Sequence, residues 1–197
     1  YAYDMNGKLV WQKDLGDKTM RNQFGEGSSP ALHGNTLVVV WDHQGESFIV
    51  ALDKRTGDIV YVANPGGRPY DTAYASPLIA TIDGLRLLIA GLGDGAIHAI
   101  KPQTGEKVWS FVASKRAINT GVAVNSSTVL VSHGDENLDT TALGMIAAID
   151  GSQAGAITTP RWAVKGTEFG YSPPIADRTR ETQIDNSSRL RADDIAT

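Results

Sequence analysis

VALDKRTGDIVY, Val50 to Tyr61, decides the fold: it reads as a strand, a tight turn and a second strand closed by a large aromatic, and the chain repeats it. In the turn Asp53-Lys54-Arg55-Thr56-Gly57 the Asp carboxylate can accept bonds from the amides that follow, while glycine takes the left-handed position. The phrase stands upstream as YAYDMNGKLVW, Tyr1 to Trp11. Downstream it returns as HAIKPQTGEKVW, His98 to Trp109, and as AAIDGSQAGAITTPRW, Ala147 to Trp162. RLRADDIAT, from Arg189, begins a fifth copy. A spacing of roughly 50 residues is the mark of a repeat array.

Between these copies lies a second repeated unit, a Ser/Pro start followed by a β-branched run. It reads SSPALHGNTLVVVW from Ser28, ASPLIATIDGLRLLIAG from Ala75, NTGVAVNSSTVLVSHG from Asn119 and YSPPIADRTRETQID from Tyr171. Turn residues divide each unit, at His33-Gly34-Asn35, Asp83-Gly84 and Asn125-Ser126-Ser127, where Gly and Asn accept positive φ. The order is therefore four antiparallel strands per repeat, which predicts an all-β chain, a β-propeller of four-stranded blades. Trp11, Tyr61, Trp109 and Trp162 then hold one equivalent place per blade, packed against the neighbouring blade. A ligand is rarely bound once per repeat, so these aromatics are read as structural, together with Asp53, Thr56, Gly57, Thr104, Gly105 and Asp150.

Composition sets the outer limits. A chain of 197 residues, 41% hydrophobic with 21 Gly and a net charge of −4, excludes collagen and disorder. No apolar run approaches the roughly 18 residues of a transmembrane helix. No basic block suggests nucleic acid as a partner. The absence of cysteine excludes a disulfide framework and a thiolate metal site. Tyr1 falls inside a strand and Thr197 where the next Thr-Gly turn is due, so a fragment of a longer protein is expected. The repeat gives a partial blade over 1–15, blades over about 16–64, 65–113 and 114–165, and an incomplete blade over 166–197. An open arc of a seven- or eight-bladed ring is preferred to a four-bladed closure. Arg178, Arg180 and Glu181 interrupt the last β-branched run and Asp193 takes an apolar position, so the final blade is expected to form poorly and its removal to cost little.

The pattern A-x-D-x-x-T-G-x-x-x-W, present as Ala51, Asp53, Thr56, Gly57 and Tyr61 and partly as Ala99, Thr104, Gly105 and Trp109, resembles the pyrroloquinoline quinone (PQQ) repeat. The stretch from Arg21 to Gly57 is similar to PQQ-like propellers grouped with the outer-membrane protein assembly factor B family. The resemblance implies an exported protein, periplasmic or extracellular, acting as a non-catalytic scaffold for a protein or small ligand, with no cofactor. Its enzymatic branch implies the alternative, a quinoprotein alcohol or sugar dehydrogenase using PQQ with calcium. The vicinal disulfide of the alcohol-oxidising members has no counterpart here, since the chain has no Cys. A second alternative is a sensor or binding domain of a larger protein. Trp41-Asp42 is a lone WD dipeptide with His33-Gly34 upstream instead of Gly-His, so a WD40 propeller is rejected.

In a propeller the loops between second and third strands, and those between blades, share the face around the central funnel, where function usually sits. The first kind carries Asp42, His43 and Glu46, then Asp94, then His133, Asp135, Glu136 and Asp139. The second carries Arg21 and Asn22, Arg68 and Asp71, and Arg116 and Asn119, so an Arg precedes the entry strand of each complete blade. Three such guanidiniums can converge on an anionic ligand or a partner's carboxylates, or stand as solvated loops. His133 to Asp139 offers oxygen donors without the spacing of a Ca²⁺ loop, and no metal is assigned. No Ser, His and Asp constellation or H-x-x-x-H spacing appears, so no catalytic residue is assigned. GLGDG at Gly91–Gly95 precedes a strand, not a helix, and is read as a turn.

Overall fold

The computed structural model describes residues 1–17, 27–43, 47–67, 69–140 and 142–166. The expected fifth copy and the interrupted run before it lie outside the described residues. A first hairpin pairs β1 (Ala2–Tyr3) with β2 (Leu9–Trp11). Blade 1 is an antiparallel sheet of β3 (Ala31–His33), β4 (Thr36–Trp41), β5 (Phe48–Asp53) and β6 (Ile59–Ala63), in that order. Blade 2 repeats it with β7 (Leu78–Ile82), β8 (Leu85–Gly91), β9 (Ala96–Ile100) and β10 (Lys107–Val112). Blade 3 uses β11 (Ala123–Asn125), β12 (Thr128–Glu136), β13 (Leu143–Asp150) and β15 (Trp162–Lys165). The all-β propeller architecture expected from the repeat is what the chain adopts.

Local chemistry explains the turns. Asp83 (φ 47) and Gly84 (φ 79) both take the left-handed conformation that a two-residue hairpin demands, as does Ser126 (φ 53) in the corresponding turn of blade 3. In the outer turn of blade 1 the Asp53 carboxylate accepts from Arg55 N at 2.8 Å and Thr56 N at 3.3 Å, while Gly57 N donates to Asp53 O. These bonds hold Asp53 below the usual carboxylate range, the Arg55 amide foremost.

The repeat is visible in the register. Ala2 pairs with Trp11, Ala51 with Tyr61, Ala99 with Trp109 and Ala148 with Trp162. Each of the first three aromatics then reaches across to the outer turn that follows. Trp11 Nε1 donates to Lys54 O at 3.0 Å, Tyr61 Oη to Pro102 O at 3.1 Å and Trp109 Nε1 to Gly151 O at 3.0 Å. The acceptors occupy one position, the residue after Asp53, Lys101 and Asp150. A side chain on Gly57 or Gly105 would collide with the ring of Trp11 or Tyr61, so the Thr-Gly glycines are required by close approach as well as by their φ of 77° and 74°.

Blade 2 is buried on both faces, which is why β8 and β9 read as near-continuous apolar runs. Leu88, Ala90 and Ile100 pack against Val38, Val40, Ile49 and Ala51 of blade 1. Leu87, Ile89, Ile97 and Trp109 pack against Val129, Val131, Ala147 and Ile149 of blade 3.

One feature departs from four strands per repeat. Twelve positions separate Asp150 from Trp162, against eight between Asp53 and Tyr61. The added length lays β14 (Gly155–Ile157) along the outer edge of β10 in parallel, with Gly155 opposite Trp109 and Ile157 opposite Phe111. Blade 2 thereby becomes five-stranded, and Trp109 is fully buried at 0% exposure.

Trp109→Ala is expected to lower stability by about 3–5 kcal/mol, the cost of emptying a buried aromatic site. Trp109→Phe keeps most of the volume and strands the Gly151 carbonyl, at about 1–3 kcal/mol. Urea unfolding of the two variants checks both; a loss under about 1 kcal/mol for the alanine variant would contradict this packing.

Candidate functional site

The up-and-down path of each blade gathers loop residues 42–43 and 47, 92–95 and 137–140 at one end, together with connecting residues 64–67, 69–77 and 113–122. Backbone bonds weave them together. Tyr70 N donates to Gly93 O, Ala73 N to Asp42 O and Ile118 N to Leu92 O, while Ala113 N and Ser114 N both donate to Gly95 O. A side chain on Gly93 or Gly95 would run into the backbone carbonyl of Asp71 or Ser114, so GLGDG is a turn that other loops approach closely. The starts of successive blades are joined as well: Ser28 Oγ donates to Ala75 O at 3.0 Å, Ser29 N to Ser76 Oγ at 2.9 Å, and Tyr74 N to Asn119 Oδ1 at 3.0 Å.

The carboxylates of this face are drawn into that weave. Asp42 is buried and accepts a bond from Gly93 N, and Ser47 Oγ bridges the His43 backbone, accepting from its N and donating to its O. Burial pushes the Asp42 carboxyl up beyond what its hydrogen bonds from Ser47 and Gly93 offset, with Asp94 adding repulsion. Asp94 meets His98 Nε2 at 2.9 Å and accepts from Gly67 N at 2.8 Å and Ala96 N at 3.1 Å. Burial acts upward on Asp94 too, but the His98 bond and charge with those two amides outweigh it and hold its pKa below the ordinary value.

His133, Asp135 and Glu136 are corrected from loop to strand, because β12 runs on through Glu136 with a bulge between His133 and Glu136. His133 is 5% exposed and neither ring nitrogen has a hydrogen-bond partner. Burial holds its pKa below the usual histidine value, against a weaker upward pull from Asp135 and the Ala113 backbone. Glu136 pairs with Lys115 at 3.6 Å, and Asp139 pairs with Lys165.

The structure thus brings Asp42, Asp71 and Asp94 to the junction of blades 1 and 2, where Asp71 Oδ1 accepts from Thr72 N and Asp71 N donates to Gly93 O. His43 is buried beside them. Arg116 and Asn119 stand exposed at the junction of blades 2 and 3. Arg21, Asn22, Glu46 and Arg68 lie outside the described residues, and with them two members of the expected arginine trio. Sequence reasoning placed Asp94 on a loop and His98 on a strand without joining them. Their i, i+4 spacing across a tight turn was the available signal. It also passed over Asn137, whose Nδ2 donates to Ala142 O and Gly144 O and closes the third loop from within. Among the described residues no three His, Asp or Glu side chains are grouped to hold a metal ion.

Repeated four-stranded blades, locked by an aromatic from each to the outer turn of the next, define a PQQ-type β-propeller array. The chain belongs to the family described as outer membrane protein assembly factor BamB, whose profile matches residues 1–154. Among solved structures it is similar to BamB from Moraxella catarrhalis, with a TM-score of 0.53 and 21% identity, covering 80% of this chain and 40% of that one. It is also similar to the quinohemoprotein alcohol dehydrogenase from Comamonas testosteroni, with a TM-score of 0.51 and 20% identity over 72% of this chain and 21% of the enzyme. The computationally designed Ika8 protein matches with a TM-score of 0.50 and 15% identity over 70% of this chain and 36% of the design. The chain spans less than half the length of each, and at these identities the likeness is one of fold. No curated protein sequence matches the chain significantly.

His133 gives the blade 2–3 contact a pH dependence with a definite sign. A folded pKa below the ordinary value of about 6.5 means that the unfolded chain takes up the proton first. Its contribution is complete above pH 6.5 or so and is lost as pH falls from there toward the folded pKa, with a slope of at most about 1.4 kcal/mol per pH unit. Urea unfolding between pH 7.5 and 5.5 is expected to show this fall in the wild type and a shallower one in His133→Leu. Equal slopes would remove His133 as the cause.

Proposed function

We propose that this chain is a non-catalytic scaffold segment of an exported, periplasmic protein, and that it presents its loop face to a protein partner in outer-membrane protein assembly. The observation that carries this reading is the family match over residues 1–154. The geometry supports it. Asp42 and Asp94, the carboxylates best placed for proton transfer or metal binding, are engaged in tying backbone amides and His98. What the face offers outward is Arg116, exposed between Lys115, which pairs with Glu136, and Asn119, whose Oδ1 holds Tyr74 N, on a frame fixed by backbone bonds. Rigid strands holding polar groups at fixed spacing favour recognition of a partner's surface, and arginine suits a partner's carboxylates.

The test places a photo-crosslinking amino acid at position 116 or 119 of the full-length protein in the producing bacterium, with position 85, at the opposite end of blade 2, as control. A discrete adduct with an envelope protein is expected from the first two and not from the third. Arg116→Glu is expected to weaken the isolated complex about fivefold, the ~1 kcal/mol of one surface ion pair. Absence of any adduct, together with stoichiometric binding of PQQ in the presence of calcium by calorimetry, would overturn the scaffold reading in favour of a quinoprotein.

A further inference from the structure

The outer edge of blade 2 is covered by β14, and among the described residues nothing pairs with the same edge of blade 1. β10 accepts Gly155–Ile157 in parallel at Trp109, Ser110 and Phe111. The equivalent residues of β6, aligned through the Ala–aromatic register, are Tyr61, Val62 and Ala63. Among the described residues β6 pairs with β5 alone. Its side chains are apolar and open to solvent, with Ile59 at 49%, Val60 at 52% and Val62 at 58% exposure. Tyr61–Ala63 carries none of the usual protections of a free edge, neither a charge nor a proline.

We propose that Tyr61–Ala63 is a strand-acceptor site, which takes an extended, uncharged segment of a partner protein in parallel with β6. β14 supplies the pattern of that segment: a glycine beside the blade's closing aromatic, then a small and a larger apolar residue. Glycine is placed there because the backbone takes a φ of 79°, a conformation glycine adopts freely, and Ile157, at 4% exposure, extends the buried face of the sheet while Ala156 stays exposed. Main-chain bonds supply affinity in such pairing, and alternate side chains supply choice. A second copy of this chain is the poorer occupant, because a two-fold dimer across β6 would pair it antiparallel with itself. The site is separate from the loop face, and either reading can fail alone.

The test uses the full chain, isotope-labelled, and a synthetic peptide Ala-Gly-Ala-Ile-Thr-Thr, the sequence of residues 154–159. Amide shifts and slowed hydrogen exchange are expected at Val60–Ala63. Val62→Lys, on an exposed side chain, is expected to raise the peptide Kd at least tenfold, while Val62→Thr binds within about twofold of wild type. A peptide N-methylated at the residue equivalent to Ala156 is expected not to bind. Changes confined to Trp109–Phe111, no change at millimolar peptide, or equal affinity for Val62→Lys would each overturn the proposal. So would slow exchange of the outward amides of Tyr61–Ala63 before peptide is added, since the edge would then already be occupied by the chain itself.

Discussion

The structure depends on a hydrogen bond that recurs with the repeat, from the closing aromatic of one blade to the first carbonyl of the next outer turn. Sheets that meet face to face are held by burial alone, and burial does not fix how far one sheet slides over another. The bonds from Trp11 to Lys54, Tyr61 to Pro102 and Trp109 to Gly151 fix that position, because each has one donor and one acceptor at a set place in the repeat. The tyrosine shows what the position demands. Burial lifts its hydroxyl pKa to about 12, so at any working pH it remains a donor, as the indole N–H is. Shape and polarity therefore select Trp or Tyr, and phenylalanine would meet only half of the requirement.

The same bond dictates the turn on the receiving side. For a ring to lie against the turn, the turn must have a residue without a side chain at the point of contact, which is the role of Gly57 and Gly105. Blade 3 solves the problem differently. Its longer turn swings β14 onto β10, so Trp109 is enclosed from the side by a strand, and Gly155 has nothing near its missing side chain. This explains the gradient of burial along one repeat position, from fully buried Trp109 to partly exposed Tyr61. An insertion of four residues converts an open blade edge into a closed one.

The fold was legible in the sequence because its determinants are local and repeated. Asp53, Thr56 and Gly57 make a turn by their own chemistry, and alternation around them makes strands whichever blade they belong to. The loop face was much less so. His133 and Glu136 follow a β-branched run and precede acidic, Gly-containing residues, which reads as a loop. They remain in strand because β12 stays paired with β13 past a bulge, a long-range effect that composition does not encode. The parallel placement of β14 was equally hidden, since Gly155–Ile157 reads as part of a turn until the β10 edge is there to receive it. Asp42 and Asp94 were recognisable as loop carboxylates, but not as carboxylates that hold backbone together.

That last distinction bears on function. A carboxylate that accepts from several amides is fixed in place and has its lone pairs occupied, and releasing it to coordinate a ligand would cost the bonds that shape the loop. Asp94, with two amides and His98, is in this state. Asp42, its pKa raised by burial, accepts from Gly93 N and so ties the same loops. Asp42 and Asp94 thus tie the loops together, while Arg116 stands exposed beside Lys115, which pairs with Glu136, and Asn119, which holds Tyr74 N. The interior of each loop is thus engaged in structure, and its rim is what faces solvent.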